Sequence, residues 1–168
     1  MEKRRIVSRL VVCPVVTTSN EWRIYSMSYY SEDYLREMAK SEDWRERRRV
    51  AESFYTPKDV LQELAEDKEW EVRLAVANNP YTSEDALTKL AKDGEWHVRR
   101  AVARNPYTPV KPLIELVDDE CWEVREAVAK HTNTPNMYLH KIADGDQVGE
   151  VRVKAKKELA RRNRNWRI

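Results

Sequence analysis

The chain has 168 residues, enough for one self-sufficient core. Charged residues make up 36% and apolar residues 41%, with only 3 Gly and 1 Phe; this excludes simple disorder and favours helices, and no apolar run approaches the roughly 18 residues of a membrane span. The net charge of +2 is unevenly spread, with residues 1–50 at +3, 51–147 at −7 and 148–168 at +6. Basic ends flank an acidic middle.

At the N-terminus, the apolar stretch Ile6 to Val16 is interrupted by Arg9 and Pro14, unlike a secretory leader, and Val12 stands where a lipoprotein site requires a small residue before Cys13. Two cysteines far apart, Cys13 and Cys121, suggest neither a disulfide framework nor a Cys-ligated metal. The expectation is a cytoplasmic protein. The β-branched content of 6–16 suits a strand, while Ile6, Leu10 and Val11 fit one helical turn. On either reading residues 1–28 form a segment that caps the rest of the chain.

From residue 29 the chain repeats. Trp44, Trp70, Trp96 and Trp122 are each 26 residues apart, and segments 70–95 and 96–121 match position for position. Segments 44–69 and 122–147 are looser copies. YYSEDYLREMAKSED (29–43) matches only the second half of the unit, and GEVRVKAKKELA begins a fifth copy, displaced by one residue and lacking the tryptophan. The first half of each unit predicts a short helix burying residues such as Val72, Ala75, Val76 and Asn79, or Val98, Ala101, Val102 and Asn105. Asn79-Pro80 and Asn105-Pro106 end it. Thr56, Thr82, Thr108 and Thr134 are then placed as N-caps, with Pro57, Pro109 and Pro135 as first helical residues. The second helix carries the stripe Leu61/Leu64/Ala65 and its equivalents. Helices this short are stable only when stacked, so the fold class is all-α, an α-solenoid of 26-residue two-helix repeats, about 40–50 Å long at ordinary helix spacings. It comprises the half unit 29–43, four full units over 44–147 and a terminal basic helix within 148–168.

The motif W-x-V-R-x-A-V-A-x-N-P-x-T-P followed by L-x-x-L-A-x-D resembles the leucine-rich repeat variant family, a group of helical repeats similar in style to HEAT repeats. The resemblance covers residues 29 to about 162 and is most specific in units two and three. Glu46 replaces the valine in unit one, and Lys154 and Lys156 replace alanines in the fifth. It implies units that pair an α-helix with a shorter, often 3₁₀, helix in a right-handed superhelix. Some members carry an N-terminal cysteine cluster for an iron–sulfur centre; here that region has only Cys13, so no metal cluster and no cofactor are implied. The resemblance speaks to fold and hardly to function.

Arg47, Arg73, Arg99, Arg125 and Arg152 recur at the fourth position of each first helix, with Asp67, Asp93 and Asp119 six residues before the next arginine. A phosphate rail is one reading; an Asp–Arg link between neighbouring repeats, as in similar HEAT units, is the favoured one. The tryptophans are read as sealing seams between units rather than as a stacking platform. Positions two, five and nine of the first helix point away from the core, toward the side that HEAT-like stacks make concave. They are Arg45, Arg48 and Glu52; Glu71, Leu74 and Asn78; His97, Arg100 and Arg104; Glu123, Glu126 and Lys130; Glu150, Val153 and Lys157. The sign of the charge alternates between units, which interrupts a phosphate track.

A non-enzymatic module binding another protein on its concave face fits this alternation. Its expected contacts are Arg48, Leu74, Asn78, His97, Arg100, Arg104 and Lys130, centred on His97, Arg100 and Arg104. The alternative is a nucleic-acid binder using basic units one and three and the basic C-terminal helix; a merely solvated face is the plainest account. His97, His131 and His140 are isolated, and no hydrolase, metalloprotease, P-loop or dinucleotide motif occurs. His131, replacing a helix-ending Asn, reads as structural. A third reading is a HEAT-like DNA glycosylase, since those enzymes also place Trp, Asp and Arg of stacked helical repeats on a concave face; against it, the chain is short for one and no single Asp departs from the repeat register.

Overall fold

The computed structural model describes residues 31–164. The N-terminal capping segment, with its strand-or-helix alternatives and Cys13, lies outside the described residues, as does the tail beyond Arg164. Among the described residues ten α-helices follow one another: α1 (Glu32–Met38), α2 (Trp44–Glu52), α3 (Lys58–Leu64), α4 (Trp70–Asn78), α5 (Glu84–Leu90), α6 (Trp96–Arg104), α7 (Val110–Glu115), α8 (Trp122–Lys130), α9 (Asn136–Gly145) and α10 (Gly149–Arg164). Each helix that opens on a repeat tryptophan has nine residues. The second helices, of 7, 7, 6 and 10 residues, are α-helical, where the resemblance implied a shorter and often 3₁₀ helix; all but α9 are shorter than the first.

Two layers result. The long helices stack on one another in the order α2, α4, α6, α8, α10, and the short helices lie against the long helices on either side. Val72, Val76, Val98, Val102, Val124 and Val128 from the long layer meet Leu61, Leu87, Leu90, Leu116 and Leu139 from the short layer in one continuous buried core. No single unit encloses that core, so the stability of each depends on its neighbours.

The turn between the two helices of a unit is built differently from the sequence expectation. Thr56, Thr82, Thr108 and Thr134 are buried and are not N-caps. Their hydroxyls donate backward, to the carbonyls of Val50, Val76, Val102 and Val128 at 2.5–2.7 Å. The last carbonyls of a helix have no partner within it, and in a turn held between two layers they take the hydroxyl before the next helix can. Pro57, Pro109 and Pro135 therefore stand at the N-cap rather than inside the helix. Side chains cap the short helix in the half unit, where Ser31 Oγ accepts from Tyr34 N–H at 3.3 Å, and in unit two, where Ser83 Oγ accepts from Ala86 N–H at 3.2 Å.

The helix-ending Asn works across units. Asn79 Nδ2 donates to the Ala51 and Ser53 carbonyls, and Asn105 Nδ2 to those of Ala77 and Asn79, at 2.8–3.0 Å. Each Oδ1 accepts the N–H two residues on, from Tyr81 or Tyr107. His131 reproduces this: Nε2 donates to the Asn105 carbonyl at 2.9 Å and Nδ1 accepts from Asn133 N–H at 3.0 Å. Ser53 and His131 hold the same extended backbone as Asn79 and Asn105 although no proline follows them, so the side-chain bonds suffice to end the helix.

The Arg–Asp ion pairs close within a unit, not between neighbouring repeats as expected, because the end of the short helix returns to the start of its own long helix; only the arginine's bonds to backbone carbonyls cross into the preceding unit. Nε and Nη2 of Arg47, Arg73, Arg99 and Arg125 fork onto Asp67, Asp93, Asp119 and Asp146 at 2.5–3.0 Å. The residue six before each arginine contributes its backbone carbonyl instead, to Nη1. The same carboxylates accept the N–H two residues on, at Glu69, Glu95, Cys121 and Val148. One guanidinium thus ties the turn that precedes its unit to the turn that ends it, beyond the short helix. Burial pushes the Asp67 and Asp146 carboxyls up, but the guanidinium and backbone N–H bonds outweigh it and hold both below the ordinary carboxylate range. A second, exposed set of ion pairs links successive short helices, each across 23 residues: Arg36–Asp59, Glu66–Lys89, Lys92–Glu115 and Asp118–Lys141.

The stack closes at α10, which runs 16 residues. Glu158 occupies the Asn position, and the helix continues to Arg162, whose guanidinium caps the carbonyls of His131, Thr132 and Thr134 at 2.7–3.0 Å. Among the described residues no helix is long and apolar enough to cross a membrane.

Candidate functional site

Removing the charges that the stack itself consumes leaves the outer face of the long-helix layer. Arg47 and Arg99 are buried in the links described above, which rules them out as a phosphate rail. Positions five and nine face outward in each long helix, and their state differs from unit to unit. In α2, Arg48 Nε donates to Glu52 at 2.7 Å, a turn away. In α4 the same positions are the half-buried Leu74 and the exposed Asn78, whose Nδ2 donates back to the Leu74 carbonyl at 3.1 Å. In α8, Lys130 Nζ lies 2.5 Å from Glu126, and Lys154 of α10 approaches the same carboxylate at 3.9 Å.

Unit three is the exception. Arg100 and Arg104 stand one turn apart on α6, Arg100 half-buried and Arg104 exposed, and among the described residues neither side chain has an ion pair or hydrogen bond. They line a groove of about 380 Å³ between α6 and α8. Its floor is Ala103 and Ala127; its far wall is Glu126 and Lys130; Pro106, His131 and Thr132 close one end. The carboxyl of Glu123, on the next long helix, is held low by the Cys121 thiol and its own backbone N–H, with a further pull from the charge of Arg100.

The expected centre of His97, Arg100 and Arg104 is therefore divided. The structure brings Arg100, Arg104 and Lys130 into one groove. His97 turns toward the tryptophan seam, its ring 3.9 Å from that of Trp96 and 5.3 Å from that of Trp70. Arg48, Leu74 and Asn78 belong to other units and do not line the groove. Trp44, Trp70 and Trp96 are partly buried against the core, as seam-sealing residues should be. Trp122 is 39% exposed; the following unit has Gly149 and Glu150 where Trp96 and His97 stand after Trp70, and so supplies no ring to cover it.

Glu126 and Glu52 escaped the sequence-derived contacts, although both pairs are spaced i, i+4 and that spacing alone signals neutralisation on a helix. A second cavity, of about 390 Å³, lies at the turns flanking α9. Its charged lining is engaged: Arg125 with Asp146, Asp118 with Lys141, and Asp119 and Glu120 with Arg99. Among the described residues no cluster of His, Cys, Asp and Glu is placed to hold a metal ion.

Comparison with known proteins agrees with this geometry. The family model described as leucine rich repeat variant matches residues 70–95, the unit that opens on Trp70. A solved structure described as a leucine-rich repeat variant with a novel repetitive protein structural motif superposes with a TM-score of 0.64 at 28% identity, covering 82% of this chain and 55% of that one. The chain thus spans just over half the length of that relative. No curated protein matches.

Proposed function

Starting from a chain that is a helical-repeat protein of the leucine-rich repeat variant kind, we propose that it is a non-enzymatic interaction module that binds a partner protein on the outer face of its long-helix layer, the face HEAT-like stacks make concave. The observation that carries this reading is the groove between α6 and α8, where Arg100 and Arg104 stand beside two buried alanines with no ion pair among the described residues, while Glu126 and Lys130 neutralise each other opposite. Mixed charge around a small apolar floor suits a protein surface. The nucleic-acid alternative has less to work with. Of the basic side chains it would use, Arg47 and Arg99 are buried in links, Arg48 is paired to Glu52, and Arg161 and Arg162 are bound to Glu158.

The test pairs two measurements on the full chain and on the Arg100→Glu/Arg104→Glu variant. Affinity capture from native cells should recover a protein with the parent and lose it with the variant. Anisotropy of labelled single- and double-stranded DNA and RNA, at about 50 and 200 mM salt where phosphate contacts lose most affinity, should show no binding. Tight nucleic-acid binding with a steep salt slope that the variant abolishes would overturn the proposal.

A further inference from the structure

Resting on the concave-face reading, the chemistry of the groove narrows its occupant. We infer that the groove between α6 and α8 takes an extended acidic peptide segment, with alternate carboxylates seated on Arg100 and Arg104.

The comparison across units carries this. Of the four full units, one has its outward cation neutralised by Glu52, one by Glu126, and one has Leu74 and Asn78 with no charge. Only in unit three do both positions carry cations, and among the described residues neither side chain makes an ion pair or hydrogen bond. Two guanidiniums a turn apart repel each other on a helix. Each presents a planar fork matched to a carboxylate. They sit about 6 Å apart along the helix axis, close to the roughly 6.8 Å that separates alternate side chains of an extended chain. A segment of the type Glu-x-Glu can reach both.

The surrounding anions select against a continuous polyanion. Glu126 lies in the groove wall with a side chain only 15% exposed, Glu123 is near enough to feel Arg100, and Glu71 and Glu150 occupy position two of the flanking units. A phosphate backbone crossing α6 would run into these carboxylates on both sides, whereas two discrete carboxylates end where the cations end. The alanine floor leaves room for the peptide main chain.

The experiment uses a fluorescein-labelled dodecapeptide in which glutamate alternates with serine, a copy with every glutamate changed to glutamine, and a 12-nucleotide single-stranded DNA, titrated with the full chain at about 50 mM salt, where exposed charges are weakly screened. Binding of the glutamate peptide, weakened about tenfold or more by Arg100→Gln/Arg104→Gln and unchanged by Arg48→Gln, is the expected result. Glu126→Gln, which frees Lys130 in the opposite wall, should tighten it. Circular dichroism of each variant checks that the substitution leaves the fold intact, at the exposed Arg48 and Arg104 and at the half-buried Arg100 and Glu126 alike. Equal binding of the glutamine peptide, or indifference to Arg100→Gln/Arg104→Gln, overturns the inference. If the peptide fails while a native protein is still captured through Arg100 and Arg104, the acidic-segment inference falls and the concave-face reading stands. If the DNA binds through the same arginines, both fall.

Discussion

Replacing Arg99 by alanine tests how much of the stack rests on the Arg–Asp links. Arg99 and Asp119 have side chains only 9% and 5% exposed, joined by Nε–Oδ2 and Nη2–Oδ1 bonds of 2.7 and 3.0 Å. Nη1 also caps the carbonyls of Asp93 and Gly94. The substitution strands a buried carboxylate that retains only the Cys121 N–H bond. Breaking one side of a buried pair costs about 3–5 kcal/mol, and the surviving N–H bond puts the expected loss near the lower end. For a chain of this length that is a fall of about 6–12 °C in Tm. Stability in a stack is a sum of unit and interface contributions, so the loss should concentrate where unit three joins unit four, and the urea transition should broaden as the two parts separate. Urea melts followed by circular dichroism, with tryptophan fluorescence from Trp70, Trp96 and Trp122 on either side of that junction, read both effects. Arg99→Met combined with Asp119→Leu removes both charges and should recover part of the loss. An Arg99→Ala melt within about 0.5 kcal/mol of the parent, the range of ordinary surface changes, would refute the reasoning.

Thr108→Val keeps the buried shape and removes the hydroxyl that donates to the Val102 carbonyl at 2.6 Å; a loss of about 1–2 kcal/mol in chemical denaturation is expected, with Thr108→Ser much milder. Asn105→Ala deprives the Ala77 and Asn79 carbonyls of their donor and the Tyr107 N–H of its acceptor, at about 2–3 kcal/mol, whereas Asn105→His should be tolerated because His131 makes the equivalent bonds one unit later. The folded Asp67 and Asp146 carboxyls titrate below their unfolded values, so the unfolded chain binds more protons over the interval between. Their contribution is complete above about pH 4 and is lost as pH falls through the folded values. Thermal melts from pH 7 to pH 2 should show this fall, and a smaller one in Asp67→Asn.

That the arginines pair with aspartates was legible because both recur at fixed phase, but the partner was not: a spacing of six pointed to Asp67 with Arg73 across units, whereas Arg73 forks onto Asp93 of its own unit, a contact that only the folded return of the short helix creates, and the fourth carboxylate, Asp146, was obscured by the extra residue that lengthens α9. His131 was likewise readable as a drifted Asn. The Thr-Pro signal misled because the capping rule is local. It cannot register that the threonine is sealed between two layers beside a helix-end carbonyl that, holding one backbone N–H bond, still has a free lone pair, and there the backward bond wins. Arg162 reads as part of a basic tail; its capping role depends on α10 running a further turn past the Asn position, which no local pattern announces. At the groove, the arginines are found from their phase on the helix. The neutralisation of Lys130 by Glu126 escapes a reading that weighs each outward position separately rather than as an i, i+4 pair.

Repetition itself separates the charges that build this molecule from those available to recognise something else. A charge the stack requires must return in each unit, as Arg47, Arg73, Arg99 and Arg125 do, so a charge that does not return is not required by the stack. Leu74 and Asn78 occupy the Arg100 and Arg104 positions one unit earlier, and Glu126 and Lys130 one unit later, so folding tolerates neutral or paired residues there. Two like charges at i and i+4 lower helix stability by about 0.2–0.5 kcal/mol, and an opposite pair raises it by a similar amount. Arg104→Glu, which recreates in unit three the pairing of Arg48 with Glu52, should therefore stabilise the chain by about 0.5–1 kcal/mol, or roughly 2 °C in Tm, while weakening capture of the partner. Stability and binding moving in opposite directions on one substitution is the signature of a residue kept for recognition. A variant that loses both places Arg104 among the residues that hold the stack.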